Sequence, residues 1–219
     1  MNTYTEENYL KAIYKLEEKR NGKITTNSIA EMVDTAPASV TDMLKKLADK
    51  KFIRYEKYQG VSLTATGKRV AVAIIRKHRL WELFLVEKLK FRWDEVHDIA
   101  EQLEHVVSDE LINRLDELLD NPKTDPHGDP IPDEKGQFHS KKTFPLSEVQ
   151  GNVSVIITGV IDHNPAFLKY LDKSGLLPGK KVVVKEIIDY DKSLNISFHN
   201  SKSLFHISHD VAKNILVRK

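Results

Sequence analysis

The sequence predicts a mainly α protein that ends in a small β domain, and three features carry that reading. Apolar residues recur at helical spacing through most of residues 4–120, broken by one short alternating stretch. Residues 121–146 then hold Pro122, Pro126, Pro130, Pro132 and Pro145 with Gly128 and Gly136, which forbid regular structure over most of that span. After Leu146 the usage turns to runs of β-branched residues.

Residues 4–20 place Tyr9, Ile13 and Leu16, with Leu10 and Tyr14, on one face of an amphipathic helix that Asn21-Gly22 ends. Thr25 or Thr26 caps a short helix over 27–33, whose apolar face holds Ile29, Ala30 and Val33. Asp34-Thr35-Ala36 makes a tight turn, and Pro37 suits the first turn of a helix over 37–50 that buries Val40, Met43, Leu44 and Leu47. Two short helices joined so briefly read as helix-turn-helix. Residues 52–58 alternate, Gln59-Gly60 turns, and 61–64 returns, a hairpin that makes the wing of a winged helix. A long helix runs from Thr64 to near Leu89, another covers 92–107, and Ser108 caps a third that ends near Asp120. Beyond the proline-rich stretch, strands are expected over 153–158, 181–185, 195–198 and 215–217, with a short helix over 165–174. Five or so strands in about seventy residues suggest a small β-barrel.

Composition bounds the partners. The 219 residues are 40% hydrophobic, and no apolar run reaches the length of a membrane span. The chain opens on a polar, helix-compatible segment rather than a secretory signal, so the cytoplasm is the expected location. The absence of cysteine excludes disulfides, zinc–thiolate sites and a thiol nucleophile. A net charge of +2 hides an asymmetry: residues 1–90 carry 18 Lys and Arg against 11 Asp and Glu, whereas residues 91–120 carry 2 against 10. A basic front before an acidic segment points to a polyanion-binding module joined to a cation-binding one.

The acidic segment has its own pattern. On a helix over 92–107, His97, Glu101, Glu104 and His105 share one stripe, while Val96, Ile99, Ala100, Leu103, Val106 and Val107 fall on the other side. The stripe contains no Lys or Arg, unlike a solvated face, which usually interleaves both signs. His78 and Glu82, four apart in the preceding helix, add a second imidazole–carboxylate pair. Such groups converging from two helices suit Mn²⁺ or Fe²⁺. His127, His139 and His199 have no partner at ligand spacing, and His206 with His209 is expected to be surface polar. Trp81 and Trp93 read as core or dimer anchors.

The candidate DNA face is the start of the 37–50 helix, Pro37, Ala38 and Ser39, with Thr41, Lys45 and Lys46 behind it, Thr26 opening the first helix of the pair, and Lys57 and Tyr58 on the wing. Hydroxyls reach phosphates or base edges, and Lys neutralises phosphate.

Several passages resemble the diphtheria toxin repressor family of metal-dependent transcriptional regulators, on its manganese-responsive side. They are Tyr9-Leu10-Lys11-Ala12-Ile13-Tyr14, Ser39-Val40-Thr41, Tyr55-Glu56-Lys57-Tyr58, Leu63-Thr64-Ala65-Thr66-Gly67, Arg76-Lys77-His78-Arg79-Leu80 with Glu82, the run from Val96 to Glu110, and Gly128-Asp129-Pro130-Ile131-Pro132. The resemblance implies a winged-helix domain over 1–70, a helical metal-binding and dimerisation domain over 71–122, a linker over 123–147 and an SH3-like domain, similar to the ferrous transport protein A module, over 148–219. It implies a homodimer that binds a palindromic operator in double-stranded DNA, activated by Mn²⁺ or alternatively Fe²⁺, with Co²⁺, Zn²⁺ or Cd²⁺ substituting in vitro. No membrane and no small organic substrate is implied.

Carried over by position, the family's regulatory site falls on Asn8, Glu101, Glu104 and His105. Its ancillary site falls on His78, Glu82 and His97, with Asp162 or His163 as candidates from the SH3-like domain. Glu101 stands where iron-responsive members have Cys, and a hard oxygen there favours Mn²⁺. Asn8 replaces the usual Asp of manganese members, so it brings a carbonyl oxygen without charge. Lys11 stands where some members have a ligating Glu, which argues against a bridged pair of ions.

Two other functions fit the same residues: a metal-dependent hydrolase, which generic phosphoester and peptide substrates with Mn²⁺ would reveal, and a constitutive winged-helix DNA binder whose acidic stripe is structural. The spacing also leads to the expectation that Glu104→Ala costs about 0.5 kcal/mol or less in stability, as at a polar surface position.

Overall fold

The computed structural model describes residues 2–19, 23–56, 60–139, 142–199, 201 and 203–219. The chain forms two compact units, one of Met1–His78 with Glu101–Ile112 and Pro132–Phe138, the other of Arg79–Ala100 with Asn113–Ile131 and His139–Lys219.

In the first unit, helix α1 (Tyr4–Lys19) buries the predicted face of Tyr9, Leu10, Ile13, Tyr14 and Leu16. Helix α2 (Thr26–Met32) is capped by Thr25, not Thr26: the Thr25 side chain accepts from Ser28 N, and Ser28 returns a bond to the Thr25 N–H. Helix α3 (Pro37–Asp49) has Pro37 in its first turn and buries Val40, Leu44 and Leu47. Strands β1 (Ile53–Glu56) and β2 (Gly60–Leu63) pair antiparallel from Ile53 opposite Leu63 to Glu56 opposite Gly60. Lys57 and Tyr58, expected on the wing, lie outside the described residues. Helix α4 (Ala65–Glu87) begins with a close approach: a Cβ at Gly67 would sit 1.9 Å from the Phe52 carbonyl oxygen, so only glycine fits there.

The helix expected over 92–107 is shorter. Helix α5 covers His97–Leu103 only. Before it, residues 92–95 make a turn, with Glu95 N bonding Arg92 O and the Arg92 guanidinium reaching the fully buried Asp94 at 2.9 Å. After it, Val106 N bonds Leu103 O, so Glu104 and His105 lie in the turn that follows rather than on a helical stripe. Two β-branched residues and Ser108, which caps α6 (Asp109–Leu118) by accepting from Leu111 N, disfavour continuation. Val107, expected on the inner face, is 67% exposed.

The second unit is built on one antiparallel sheet in the order β3-β8-β4-β5-β6-β7. Strands β4 (Ser154–Val160), β5 (Lys181–Ile187), β6 (Leu194–Phe198) and β8 (Ile215–Arg218) extend the predicted runs. The edge pieces β3 (Phe144–Pro145) and β7 (Phe205–Ile207) are too short to carry an alternating signal. Helix α7 (Pro165–Ser174) is capped by Asn164 and stopped by Gly175 at φ +70°. Helix α8 (His209–Lys213) precedes β8. Leu146, Ile157, Leu171, Val182, Val184, Ile196 and Val217 form the core, with Trp93 packed into it.

The proline-rich stretch is ordered where it matters for the site. Thr124 bridges Pro130, Ile131 N bonds Lys123 O, and Asp125, His127 and Ile131 are buried. Gly128 crosses Gly159 of β4 at a separation no side chain permits: a Cβ at Gly128 would lie 2.3 Å from Thr158 O, and one at Gly159 2.3 Å from His127 O. That crossing, with Val160 N bonded to His127 O, fixes His127.

Candidate metal centres and the DNA-facing helix

In the first unit the core face of α1 leaves Glu7, Asn8 and Lys11 on an adjoining face, within one turn of each other. Opposite them stand His78 of α4, Glu101 of α5, and Glu104 and His105 of the following turn. His78 Nδ1 lies 2.7 Å from Glu104 Oε2 and 3.8 Å from Glu101 Oε1. His105 Nδ1 lies 2.6 Å from Glu7 Oε2, its Nε2 lies 3.7 Å from Glu104 Oε1, and Tyr4 stacks on its ring. The Lys11 ammonium donates to both oxygens of Glu101, at 2.7 and 2.8 Å, and to Glu104 Oε1. Glu104 is fully buried. Asn8 Oδ1 is buried with no hydrogen-bond partner, an orphaned acceptor that needs a cation or donor.

The cluster therefore unites Glu101, Glu104 and His105, as the resemblance implies, and adds His78 and Glu7. Three carboxylates, two imidazoles and an unsatisfied amide oxygen are the hard and borderline donors that fit a first-row divalent ion.

A second cluster lies in the other unit. Glu82, Asp125 and His127 are all buried, with ligand atoms within 4.8 Å of one another. The other nitrogen of His127, Nε2, is 2.8 Å from the Trp93 carbonyl oxygen, to which it donates. That bond leaves Nδ1 facing inward, 3.6 Å from Glu82 Oε2, buried and without a hydrogen-bond partner. An imidazole whose outer N–H is anchored on a backbone carbonyl is oriented as metal-ligating histidines are. Asp125 Oδ1 accepts from His127 N and Asp129 N, which aims the carboxylate, and Arg79 Nε stands 3.7 Å from its Oδ2.

The acids and the imidazole share one field. Burial, then Asp129 and Glu82, push Asp125 up to about 7. Burial disfavours the His127 imidazolium, but the Glu82 carboxylate and Asp125 outweigh it and raise His127 to about 9.

Of the residues carried over for the ancillary site, Glu82 belongs to this cluster and His97 stands at its edge, half-exposed, with Nδ1 3.3 Å from Glu82 Oε1. His78 Nδ1 lies 2.7 Å from Glu104 Oε2, in the first cluster. His163 stacks on His127 at 4.8 Å, with Nε2 3.9 Å from Asp129 Oδ2. Asp162 is exposed and accepts from Asn164 N in a local turn. His127, which the sequence left without a ligand partner, is the buried centre of this cluster, and Asp125 went unnoticed. Their D-x-H spacing, inside a stretch of prolines that conceals any helical or strand period, was the available signal.

On α3, Pro37, Ala38, Ser39, Lys45 and Lys46 are exposed, while Thr41 is half-buried and its hydroxyl donates to Pro37 O. Lys45 reaches Asp42 at 3.2 Å on the same face. Thr26, first residue of α2, is half-buried. His206 and His209 are exposed, as expected.

A winged helix with an exposed second helix, in one unit with a carboxylate–imidazole cluster, defines a DNA-binding regulator with a cation-holding centre. Known proteins agree. Residues 1–61 match the iron dependent repressor N-terminal DNA binding domain, residues 64–133 the iron dependent repressor metal binding and dimerisation domain, and residues 144–219 the FeoA domain. The diphtheria toxin repressor of Corynebacterium diphtheriae is 30% identical over 222 residues, covering 98% of this chain and 97% of that protein. The HTH-type transcriptional regulator MntR of Oceanobacillus iheyensis is 36% identical over 125 residues, 57% of this chain and 84% of that one. Among solved structures, a manganese-dependent transcriptional repressor in complex with manganese superposes with a TM-score of 0.84 at 32% identity, covering 97% of this chain and 98% of that one. ScaR with bound Zn²⁺ gives 0.75 at 35%, covering 98% and 99%. The chain belongs to the diphtheria toxin repressor family of metal-dependent transcriptional repressors. No helix among the described residues is long and apolar enough to cross a membrane.

Proposed function

We propose that the chain is a manganese-activated repressor that binds a palindromic operator as a homodimer in the cytoplasm, with Fe²⁺ as the alternative activator. The observation that carries this reading is the first cluster: Glu101, Glu104 and His105 meet Glu7 and Lys11 of α1, and Asn8, next to Glu7 on that helix, has a buried carbonyl oxygen with no partner. Glu101 in place of a thiolate makes the donors harder, which favours Mn²⁺. Relatives solved with manganese, Zn²⁺ and Cd²⁺ support the same donor class, and Co²⁺ is a further in vitro substitute. Glu82, Asp125 and His127 would hold a second ion, with His163 and His97 beside them.

A divalent ion, when bound, supplies the positive charge that carboxylates packed this closely require. What the chain does with that charge runs through α1. Glu7 and Lys11 bond into the cluster, with Asn8 between them in the helix, while Glu6, on the same helix, accepts from Lys50 at the end of α3 at 2.7 and 2.9 Å. Farther along, Glu17 accepts from Leu63 N of the wing at 2.8 Å. Order gained by α1 at the cluster therefore reaches both α3, which presents Pro37, Ala38, Ser39, Thr41, Lys45 and Lys46, and the hairpin that leads to Lys57 and Tyr58. Thr26 flanks the same surface. Because the coupling is a free energy, operator DNA must in turn tighten metal binding.

Selection from a random duplex pool, with Mn²⁺ and separately with a chelator, tests the proposal. An enriched palindrome retained only with Mn²⁺ is expected. Equal retention in chelator would instead mark a constitutive DNA binder, and metal-dependent hydrolysis of generic phosphoesters or peptides would restore the enzyme reading.

A further inference from the structure

We infer that Lys11 is a tethered cation that competes with the divalent ion for the Glu101 and Glu104 carboxylates, and so sets the metal concentration at which the first centre fills. This rests on the reading of that centre given above. Lys11 is 5% exposed, rare for a lysine, and its ammonium has three donors. All three are spent on carboxylate oxygens of the cluster: both of Glu101 and Oε1 of Glu104. Glu104's second oxygen faces His78. The lone pairs that would coordinate a cation are thus held by a cation the chain carries itself.

The charge balance explains why the ammonium is there. Glu7, Glu101 and Glu104 bring three carboxylates to one cluster, and the Lys11 ammonium is bonded to two of them. It ties α1 to α5 and the turn beyond it across 93 positions of sequence. A divalent ion bound to the same oxygens must displace the ammonium or sit beside it against like-charge repulsion, and either way the observed metal affinity is lowered.

A salt bridge that merely stabilised the fold would behave differently on removal. Loss of it would weaken the metal-free and metal-bound states alike and leave metal affinity unchanged. A competitor, once removed, destabilises only the metal-free state and tightens the ion.

The test is a calorimetric titration of the full chain, stripped with chelator, against Mn²⁺. Lys11→Gln and Lys11→Met should tighten one ion per chain at least tenfold, about 1.4 kcal/mol, and leave the other ion unchanged. Their melting temperatures in chelator should fall while those in saturating Mn²⁺ hold, and Lys11→Arg, which keeps the charge, should stay near wild type. Lys11→Met guards against a special effect of the glutamine amide, and refolding in Mn²⁺ recovers either variant if its metal-free form is unstable. Unchanged or weaker affinity in both neutral variants would overturn the role of Lys11. A Glu104→Gln chain that titrates like wild type would overturn the first centre itself, a separate failure.

Discussion

Glu104→Gln puts the first centre to its most direct test. The Glu104 side chain is fully buried, within 2.7 Å of His78 Nδ1, bonded to Lys11 and 3.7 Å from His105 Nε2. Glutamine keeps the volume and one acceptor oxygen but removes the charge, so Lys11 retains Glu101 alone and His78 faces an amide. Breaking a buried ion pair outright costs roughly 3–5 kcal/mol. Because the amide still accepts one bond, about 1–3 kcal/mol of metal-free stability should be lost. In a chain of this size that is a fall in melting temperature of about 3–10 °C. The small penalty that the sequence suggested for Glu104→Ala assumed a surface position and does not hold for a side chain with no exposure. Metal affinity at this centre should drop at least hundredfold, about 2.7 kcal/mol, since a charged ligand is gone while Glu101 and His105 remain. Thermal melting in chelator gives the first number, and Mn²⁺ titration with duplex binding at fixed Mn²⁺ gives the second. A variant that melts lower but keeps the wild-type metal dependence of DNA binding would refute the assignment.

Glu6→Gln should cut the link from α1 to α3: Mn²⁺ affinity without DNA stays as in wild type, while the gain in DNA affinity on adding Mn²⁺ shrinks, measured by fluorescence anisotropy in both conditions. Gly159→Ala should lose the ion at Glu82, Asp125 and His127 and spare the other, because its Cβ would collide with His127 O at 2.3 Å; Mn²⁺ stoichiometry falling from two to one is the readout. The third prediction concerns pH. Asp125 and His127 have folded pKa values raised to about 7 and about 9, so their contribution to metal-free stability is complete at low pH and disappears as pH rises through those values. In chelator, melting should decline from about pH 4 to 7 as the Asp125 contribution is lost and from about pH 7 to 9 as that of His127 is lost, whereas metal-loaded protein, whose ligands are already deprotonated, should decline less, and loading should release protons.

Local pattern made much of this molecule legible. The buried faces of α1, α2 and α3, the wing hairpin and the four longer strands follow from periodicity and turn residues. Glu101, Glu104 and His105 were found as a helical stripe, yet two of them lie beyond the helix. Their convergence comes from partners on α1 and α4, which spacing within a segment cannot report. Asp125 and His127 were hidden for a related reason. Their loop has no period, and what seats His127 is a crossing of Gly128 with Gly159, about thirty residues on, where the missing side chains are the information. The pairing of Lys11 with Glu101 spans 90 positions, so the sequence could identify it as a residue unable to ligate metal but not as a cation already in place.

Helix α1 unites these observations in one physical scheme. It offers an acid, Glu6, to the lysine that closes α3, and a base, Lys11, to the acids of the first cluster. The two ties are ion pairs of opposite sense, so the helix is anchored through a carboxylate at α3 and through an ammonium at the cluster. A site governed by Lys11 alone would hold α1 by one ammonium against the Glu101 and Glu104 carboxylates, with Glu7 of α1 itself adding a third negative charge that the ammonium does not compensate. Added positive charge at Glu101, Glu104 and His105 removes that deficit. It strengthens the hold on Glu7 and Asn8, and the stiffness gained there is what Glu6 and Glu17 carry to α3 and the wing. On this scheme the response to metal depends less on how tightly the ion binds than on how much more tightly it holds α1 than Lys11 does, since only a difference between two states can shift their populations.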